Sequence, residues 1–429
     1  MTQTVRGCSR TTHKVVAFGM EEKSVQTKLG VRIAVASVAF LFAACSSTPA
    51  VSQPPGQSQA AASQAPPSQA ALASQGPDYL AMSWDQLTAQ AKTEGEIVFS
   101  AWWGEEFWKE VAKEFTAKYG IEARILLGNN AIDKMLAEKD RAIGTIDVQL
   151  IGGADVKTSV DAGLWYGPVY PKLPDHGSID QKLATIQEGV TTGGYLVPIY
   201  RNQTGFLYDP QKVATPPQTW DEFAAWVTAN PKGFAYPDPN KGGTGQGFVQ
   251  AVITSLTGGL DKYVGDTSVD PAKVANWNLA WDWLKANNPK MNVSLSNGED
   301  IDLLNQGAAS IVMAWDDDSQ AAITNGTLFK RAQMYIPKFG LPGGGDTAGV
   351  VKNAPDKAAA ILFLDFLTSP DIQKLMNKTV GSIPSRTDVT GIPSIIPEDV
   401  RAANGVAWIP APYKSQLAKD FTSKVLLGQ

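Results

Sequence analysis

Thiols and imidazoles are scarce in this chain of 429 residues. It holds two cysteines, Cys8 and Cys45, and two histidines, His13 and His176. Both cysteines precede a low-complexity stretch, so the main body has no internal disulfide available to it. One histidine and no thiol also leave that body without the ligands of a zinc site. Excess positive charge is missing too: 37 Lys and Arg stand against 42 Asp and Glu, for a net charge of −5. Residues 1–44 carry six Lys/Arg and two Glu, which leaves −9 for the remainder. Nothing supplies the basic footprint that phosphate backbones require, so nucleic acid is excluded as a partner. The uncharged apolar run Ile33–Ala44 has twelve residues, too few to span a bilayer. No Gly-Lys-Ser/Thr follows the glycines near residue 243, and they do not form a GxGxxG pattern, so neither nucleotide-binding loop is present there. No motif pairs two carboxylates in the way glycoside hydrolysis needs.

What remains is globular. The chain is 43% hydrophobic and 18% charged, with Gly 39, Pro 27 and Trp 12. That composition supplies an ample core, and the length favours two domains.

The N-terminus reads as an address. Lys23, Lys28 and Arg32 precede Ile33–Ala44, which suits the apolar core of a secretory signal. Leu41-Phe42-Ala43-Ala44-Cys45 resembles a bacterial lipobox, which implies cleavage before Cys45 and a diacylglycerol on its sulfur; a plain signal peptide with an incidental cysteine is the alternative. Met20 opens a more ordinary leader and offers a second start. Ser46–Pro77 has no charge and is rich in Ser, Gln, Ala and Pro. It cannot bury enough to fold, and as a flexible tether it reaches on the order of 30 Å.

From about Asp78 the pattern alternates between short apolar runs and amphipathic helices. Glu96–Ser100 reads as a buried strand, followed by the loop Ala101-Trp102-Trp103-Gly104. Phe107, Trp108, Val111, Ala112, Phe115 and Tyr119 then fall close to helical spacing. Ile121–Leu127, Ala131–Arg141 and Ile146–Ile151 continue as strand, helix and strand. This order predicts a mainly parallel sheet covered by helices, with ligands at the carboxyl ends of strands. Trp102, Trp103 and the loop Gly152–Asp155 share that rim.

Gly194-Tyr195-Leu196-Val197-Pro198, Gly205-Phe206-Leu207-Tyr208-Asp209 and Pro216-Pro217-Gln218-Thr219-Trp220-Asp221-Glu222-Phe223 come next. Later stretches are Ala308–Met313, Phe366-Leu367-Thr368-Ser369-Pro370 and Ile383-Pro384. In order and spacing these segments resemble the extracellular solute-binding proteins of bacterial ABC importers, nearer the polyamine, ferric-ion and thiamine-like branches. The resemblance runs from residue 79 to the end. It implies an α/β fold of periplasmic-binding-protein type II, with two lobes of mainly parallel sheet joined by hinge crossovers. Mapped onto this chain, it implies a signal at 1–44 and a lipidated tether at 45–78. Lobe one comprises 79–199 and 340–378; lobe two comprises 200–339 and 379–429. It further implies a monomer without cofactor, anchored outside the cytoplasm by Cys45, which delivers a small solute to a membrane permease and performs no catalysis. The expected solute is polar and organic, with cations of polyamine or thiamine type ahead of sugars and polyols. A secreted carbohydrate-active enzyme is the rival class. Ferric-ion members generally use paired tyrosines late in the chain; here only Tyr413 follows Tyr335, which argues against iron and leaves no expected metal site.

The candidate ligand contacts follow from these positions. Trp102 and Trp103 point opposite ways on an extended backbone, so one should stack on ligand. Gly153 and Asp155 sit on the same rim. Tyr200 and Arg201 lie at the first crossover, where Arg201 either clamps an acid or holds the lobes. Gly243, Thr244 and Gly245 precede the helical pattern Phe248–Leu256 and offer free backbone N–H groups, or simply a turn and cap. The strand Ser310–Ala314 ends in Trp315, Asp316 and Asp317. With Trp315 the acids form an aromatic and carboxylate box suited to a cation; alternatively they cap a helix whose dipole favours them.

Overall fold

The computed structural model describes residues 77–128 and 131–428. The signal, the lipobox with Cys45 and nearly all of the tether lie outside the described residues. Among the described residues, no helix is long and apolar enough to cross a membrane.

Two sheets with separate cores organise the chain. In the first, Glu96–Ala101 pairs in parallel with Glu122–Leu127 on one side and Val148–Ile151 on the other. Thr347–Val350 and then Leu196–Pro198 extend it in antiparallel register. The sheet is therefore mixed where a mainly parallel one was expected. Only Thr347–Val350, which carries the chain re-entering the lobe, runs against the others; Leu196–Pro198, antiparallel to it, again points the same way as the strands of the strand–helix–strand units. Helix Glu105–Tyr119 buries Phe107, Trp108, Val111, Ala112 and Phe115, the face predicted from spacing. Helix Lys357–Leu367 is buried almost all round and packs Phe363 against Phe99 and Phe115.

The second sheet is built on one long strand, Tyr200–Tyr208. Ile311–Trp315 runs antiparallel along residues 204–208. On the strand's other edge lie Gln333–Tyr335 and Leu341–Gly344, while Ile383–Pro384 pairs with residues 200–201. Phe234–Pro237 and Asn292–Ser294 complete the sheet in parallel. Its core gathers Phe206, Phe223, Phe234 and Phe248 in edge and tilted contacts. Leu341–Gly344 thus belongs to this second sheet, although the sequence reading begins the return of lobe one at 340. Ser385 and Thr387, read with lobe two, bond instead to Asp180 and Ser178 of lobe one. In both places a short connection stays with the strand or turn that satisfies its backbone groups.

The lobes meet along a compact hinge. The Ile199 N–H donates to the Asp346 carbonyl at 2.9 Å, so the outgoing and returning chains are bonded where they cross. Ile383–Pro384 pairs with Tyr200 and Arg201 beside them.

One core acid carries a prediction. Asp300, on helix Asn297–Asn305, is fully buried with neither carboxylate oxygen hydrogen-bonded. Burial pushes its carboxyl up to about 8, with nearby Ser294 opposing. Its folded value lies above the unfolded one, so it withdraws stability as pH rises from the ordinary carboxylate range to about 8. Asp300→Asn is expected to raise stability above pH 8 by about 2 kcal/mol and to flatten the pH dependence of the thermal midpoint; an unaltered profile would refute this.

Candidate functional site

A cavity of about 430 Å³ lies between the lobes. Its lobe-one wall forms where parallel strands end. The strand Glu96–Ala101 runs into Trp102 and Trp103, and the structure separates these neighbours. Trp103 packs on the core: it stacks on Phe107, with centroids 6.3 Å and planes 9° apart, and meets Tyr200 edge-on at 5.5 Å. Both tryptophans reach the cavity lining, but Trp102 is the one left 38% exposed. After Val148–Ile151 the chain turns through Gly152 and Gly153 into a helix that begins at Asp155. Gly152 leaves no room for a side chain, since a Cβ there would lie 2.1 Å from Asp346 Oδ1 and 3.7 Å from the Trp102 ring. Gly153 and Asp155 both line the cavity. Burial, with help from Asp133, raises the Asp155 carboxyl above its usual range.

The hinge lies beneath this wall. The Tyr200 hydroxyl donates to the Asp346 carboxylate. Protein surrounds Asp346, although part of its surface faces the cavity. Burial is the main force lifting its carboxyl to about 7; Glu188 adds to the rise, while Tyr200, Trp103 and Lys414 oppose it. The Tyr200 phenol is held well above its usual value, by burial first and then by Asp346 and Asp317. Sequence reasoning missed Asp346. The run Gly343-Gly344-Gly345-Asp346 was a usable signal, because consecutive glycines at a crossover permit close approach around the acid that follows.

Trp315 and Trp408 face each other on the lobe-two wall at 6.1 Å and 52°. Lys414 places its ammonium 3.7 Å above the Trp408 ring and 3.0 Å from the Glu188 carboxylate. The glycine-rich segment is not a loop before Phe248 but the first turn of helix Gly243–Thr257. Gly243 lines the cavity, and a Cβ there would lie 2.9 Å from the Trp315 ring. Thr244 and Gly245 do not line it. Thr244 is buried and bonds Asn297 through both its N–H and its hydroxyl, and Gly245 is pressed against the Pro237 carbonyl.

Arg201 is also outside the cavity. It donates to the Pro384 carbonyl at 3.0 Å and reaches Glu398 at 3.3 Å, so it holds the hinge together.

The three aspartates divide by role. They open helix Asp316–Asn325, and Trp315 stands at its cap position. Asp316 is 2% exposed; it accepts from the Gln203 and Asp317 backbone N–H groups and pairs with Arg401 at 2.8 Å. Buried against Arg401, it lines neither this cavity nor the compartment beside it. Asp317 and Asp318 border a second compartment of about 470 Å³, which shares Trp103, Tyr200, Asn202 and Trp315 with the first. Burial, then repulsion from Asp318 and Asp316, holds the Asp317 carboxyl well above the usual range. Asp318 is open to water in that compartment yet walled by protein, which lifts it to about 6, with Asp316 adding to the rise.

Among the described residues, no three His, Cys, Asp or Glu side chains gather to hold a metal ion. The site offers flat aromatic faces and carboxylates whose charge responds to what enters.

Residues 110–403 match the family model described as bacterial extracellular solute-binding protein. Protein YnjB of Escherichia coli is 24% identical over 364 residues, covering 77% of this chain and 92% of that protein. Among solved structures, the spermidine/putrescine ABC transporter substrate-binding protein PotD from Streptococcus pneumoniae, in complex with calcium and HEPES, superposes with a TM-score of 0.60. It is 14% identical and covers 78% of this chain and 99% of its own. The periplasmic binding protein AfuA from Actinobacillus pleuropneumoniae, with fructose-6-phosphate bound, gives 0.56 at 16% identity, over 78% and 99% of the two chains. These likenesses support the two-lobe fold.

Proposed function

The chain belongs to the bacterial extracellular solute-binding proteins, and from that premise we propose that it is the membrane-tethered capture subunit of an ABC importer for a small organic cation. The family is one of transport binding proteins rather than enzymes, and selective closure on a solute is the work of this architecture. The observation that carries the reading is the lining of the interlobe cavity. Trp102, Trp315 and Trp408 offer ring faces, while Asp155 and Asp346 offer carboxylates. Lys414 also lines it, but Glu188 neutralises that ammonium. An aromatic box with unbalanced acid attracts a desolvated cation. The likeness to PotD, whose name specifies spermidine and putrescine, agrees with this choice; the likeness to a fructose-6-phosphate-bound relative shows that the fold alone does not decide it.

A thermal-shift screen of polyamines, heteroaromatic cations, sugars and polyols tests the assignment. A cation present at a hundredfold excess over Kd should add about 2.7 kcal/mol to stability. Stabilisation by neutral sugars alone would overturn the cation assignment in favour of the polyol reading. The tether has its own test. Cys45→Ser is expected to abolish incorporation of labelled fatty acid and to release the protein into the medium; continued membrane retention would refute lipidation at Cys45.

A further inference from the structure

The hairpin Ile186–Thr191 has an unusual tip. Ile186–Gln187 pairs with Val190–Thr191, and the two turn residues Glu188 and Gly189 both have positive φ, 51° and 75°. Asn-Gly is the usual choice for such a turn, because a glutamate is strained at the first position. The hairpin is attached to lobe one, where Val190 packs on the core, yet its tip rests on lobe two. Gly189 lies so near Pro410 that a Cβ would stand 3.2 Å from the Pro410 Cα. Glu188 meets Lys414, with their side chains only 6% and 10% exposed. Lys414 belongs to helix Ala411–Asp420, whose Tyr413 and Leu417 are buried in the lobe-two core. Glu188, Lys414 and Trp408 all line the cavity.

We propose that this hairpin is a latch: Glu188 crosses the cleft to grip Lys414, and the grip holds the lobes together against the hinge. The inference rests on the reading that the lobes close over a solute. Opening the cleft would pull a shielded ion pair apart and rehydrate both charges separately, so the pair acts chiefly on the closed arrangement. The pair is also local to the aromatic wall. Lys414 stacks on Trp408 while it pairs with Glu188, so a solute that displaced the ammonium from that ring would loosen the latch, whereas one seated beside it would leave the latch engaged.

Small-angle scattering of the full chain, with no solute added, tests the latch independently of solute identity. Glu188→Gln and Lys414→Met should each shift the closed-to-open ratio at least about tenfold toward open and enlarge the radius of gyration. The exchange of Glu188→Lys with Lys414→Glu should bring it back. Glu188→Asn guards against misfolding, since asparagine suits the turn; it should keep or raise the thermal midpoint and still open the lobes. Superimposable profiles from folded variants would overturn the latch and leave solute capture untouched. Expanded profiles beside a failed solute screen would sink the cation reading and leave the latch standing.

Discussion

Asp316→Ala is expected to destabilise the protein by about 3 kcal/mol, because it strands a buried guanidinium. Arg401 is 9% exposed, and its other acid, Glu398, is largely exposed. The substitution also frees the Gln203 N–H, which donates to Asp316 at 2.7 Å. The long strand and the aspartate helix would thus lose their bond where the hinge enters lobe two. Replacing both members, Asp316→Leu with Arg401→Met, should recover much of the loss, because an apolar pair of suitable volume owes no desolvation cost. Denaturant midpoints of the two singles and the double decide the matter. A wild-type midpoint in Asp316→Ala would show that the pair contributes nothing. Trp315→Ala provides the contrast: it should keep the midpoint and lose solute affinity.

Binding of the captured cation should strengthen steeply with pH around 7. Asp346 titrates at about 7, so below that pH much of the carboxyl is neutral and exerts little pull on a cation. As pH rises the carboxylate forms, affinity climbs, and it levels off once ionisation is complete. Below pH 7 binding must expel a proton, which calorimetry in buffers of different ionisation heat detects. Asp346→Asn should remove both the step and the proton release and weaken binding at pH 8 by about tenfold or more. Asp318, at about 6 in the adjoining compartment, would leave a smaller inflection at lower pH. An affinity constant from pH 6 to 8 in the wild type would remove Asp346 from solute recognition.

The lobes were legible in the chain because each strand–helix unit announces itself through local spacing, and the family segments arrive in order. Trp102 and Trp315 could be placed because each immediately follows, or ends, an apolar strand, and strand ends face the cleft. The direction of Thr347–Val350 was not legible, since it depends on how a distant segment re-enters the sheet. Asp346, Trp408, Lys414 and Glu188 were missed for the same reason: each reaches the cavity through the return of the chain, and nothing within a few residues records that meeting. Arg201, Thr244, Gly245 and Asp316 occupy places where a ligand contact and a structural tie use the same residue types. Only the partners, Pro384, Asn297, the Pro237 carbonyl and Arg401, distinguish the two uses.

The hinge sets one further consequence. Residues 200–203 of the long strand run beside Gly343–Gly345 on one edge and pair with Ile383–Pro384 on the other, and Ile199 is bonded to Asp346 just before them. Segments laced in this way behave as a ribbon rather than as separate strings. A ribbon flexes readily out of its plane and resists shear within it. In-plane sliding of one lobe past the other is thereby suppressed, so a donor–acceptor dye pair across the lobes should read the opening angle directly, which suits this scaffold to use as a sensor.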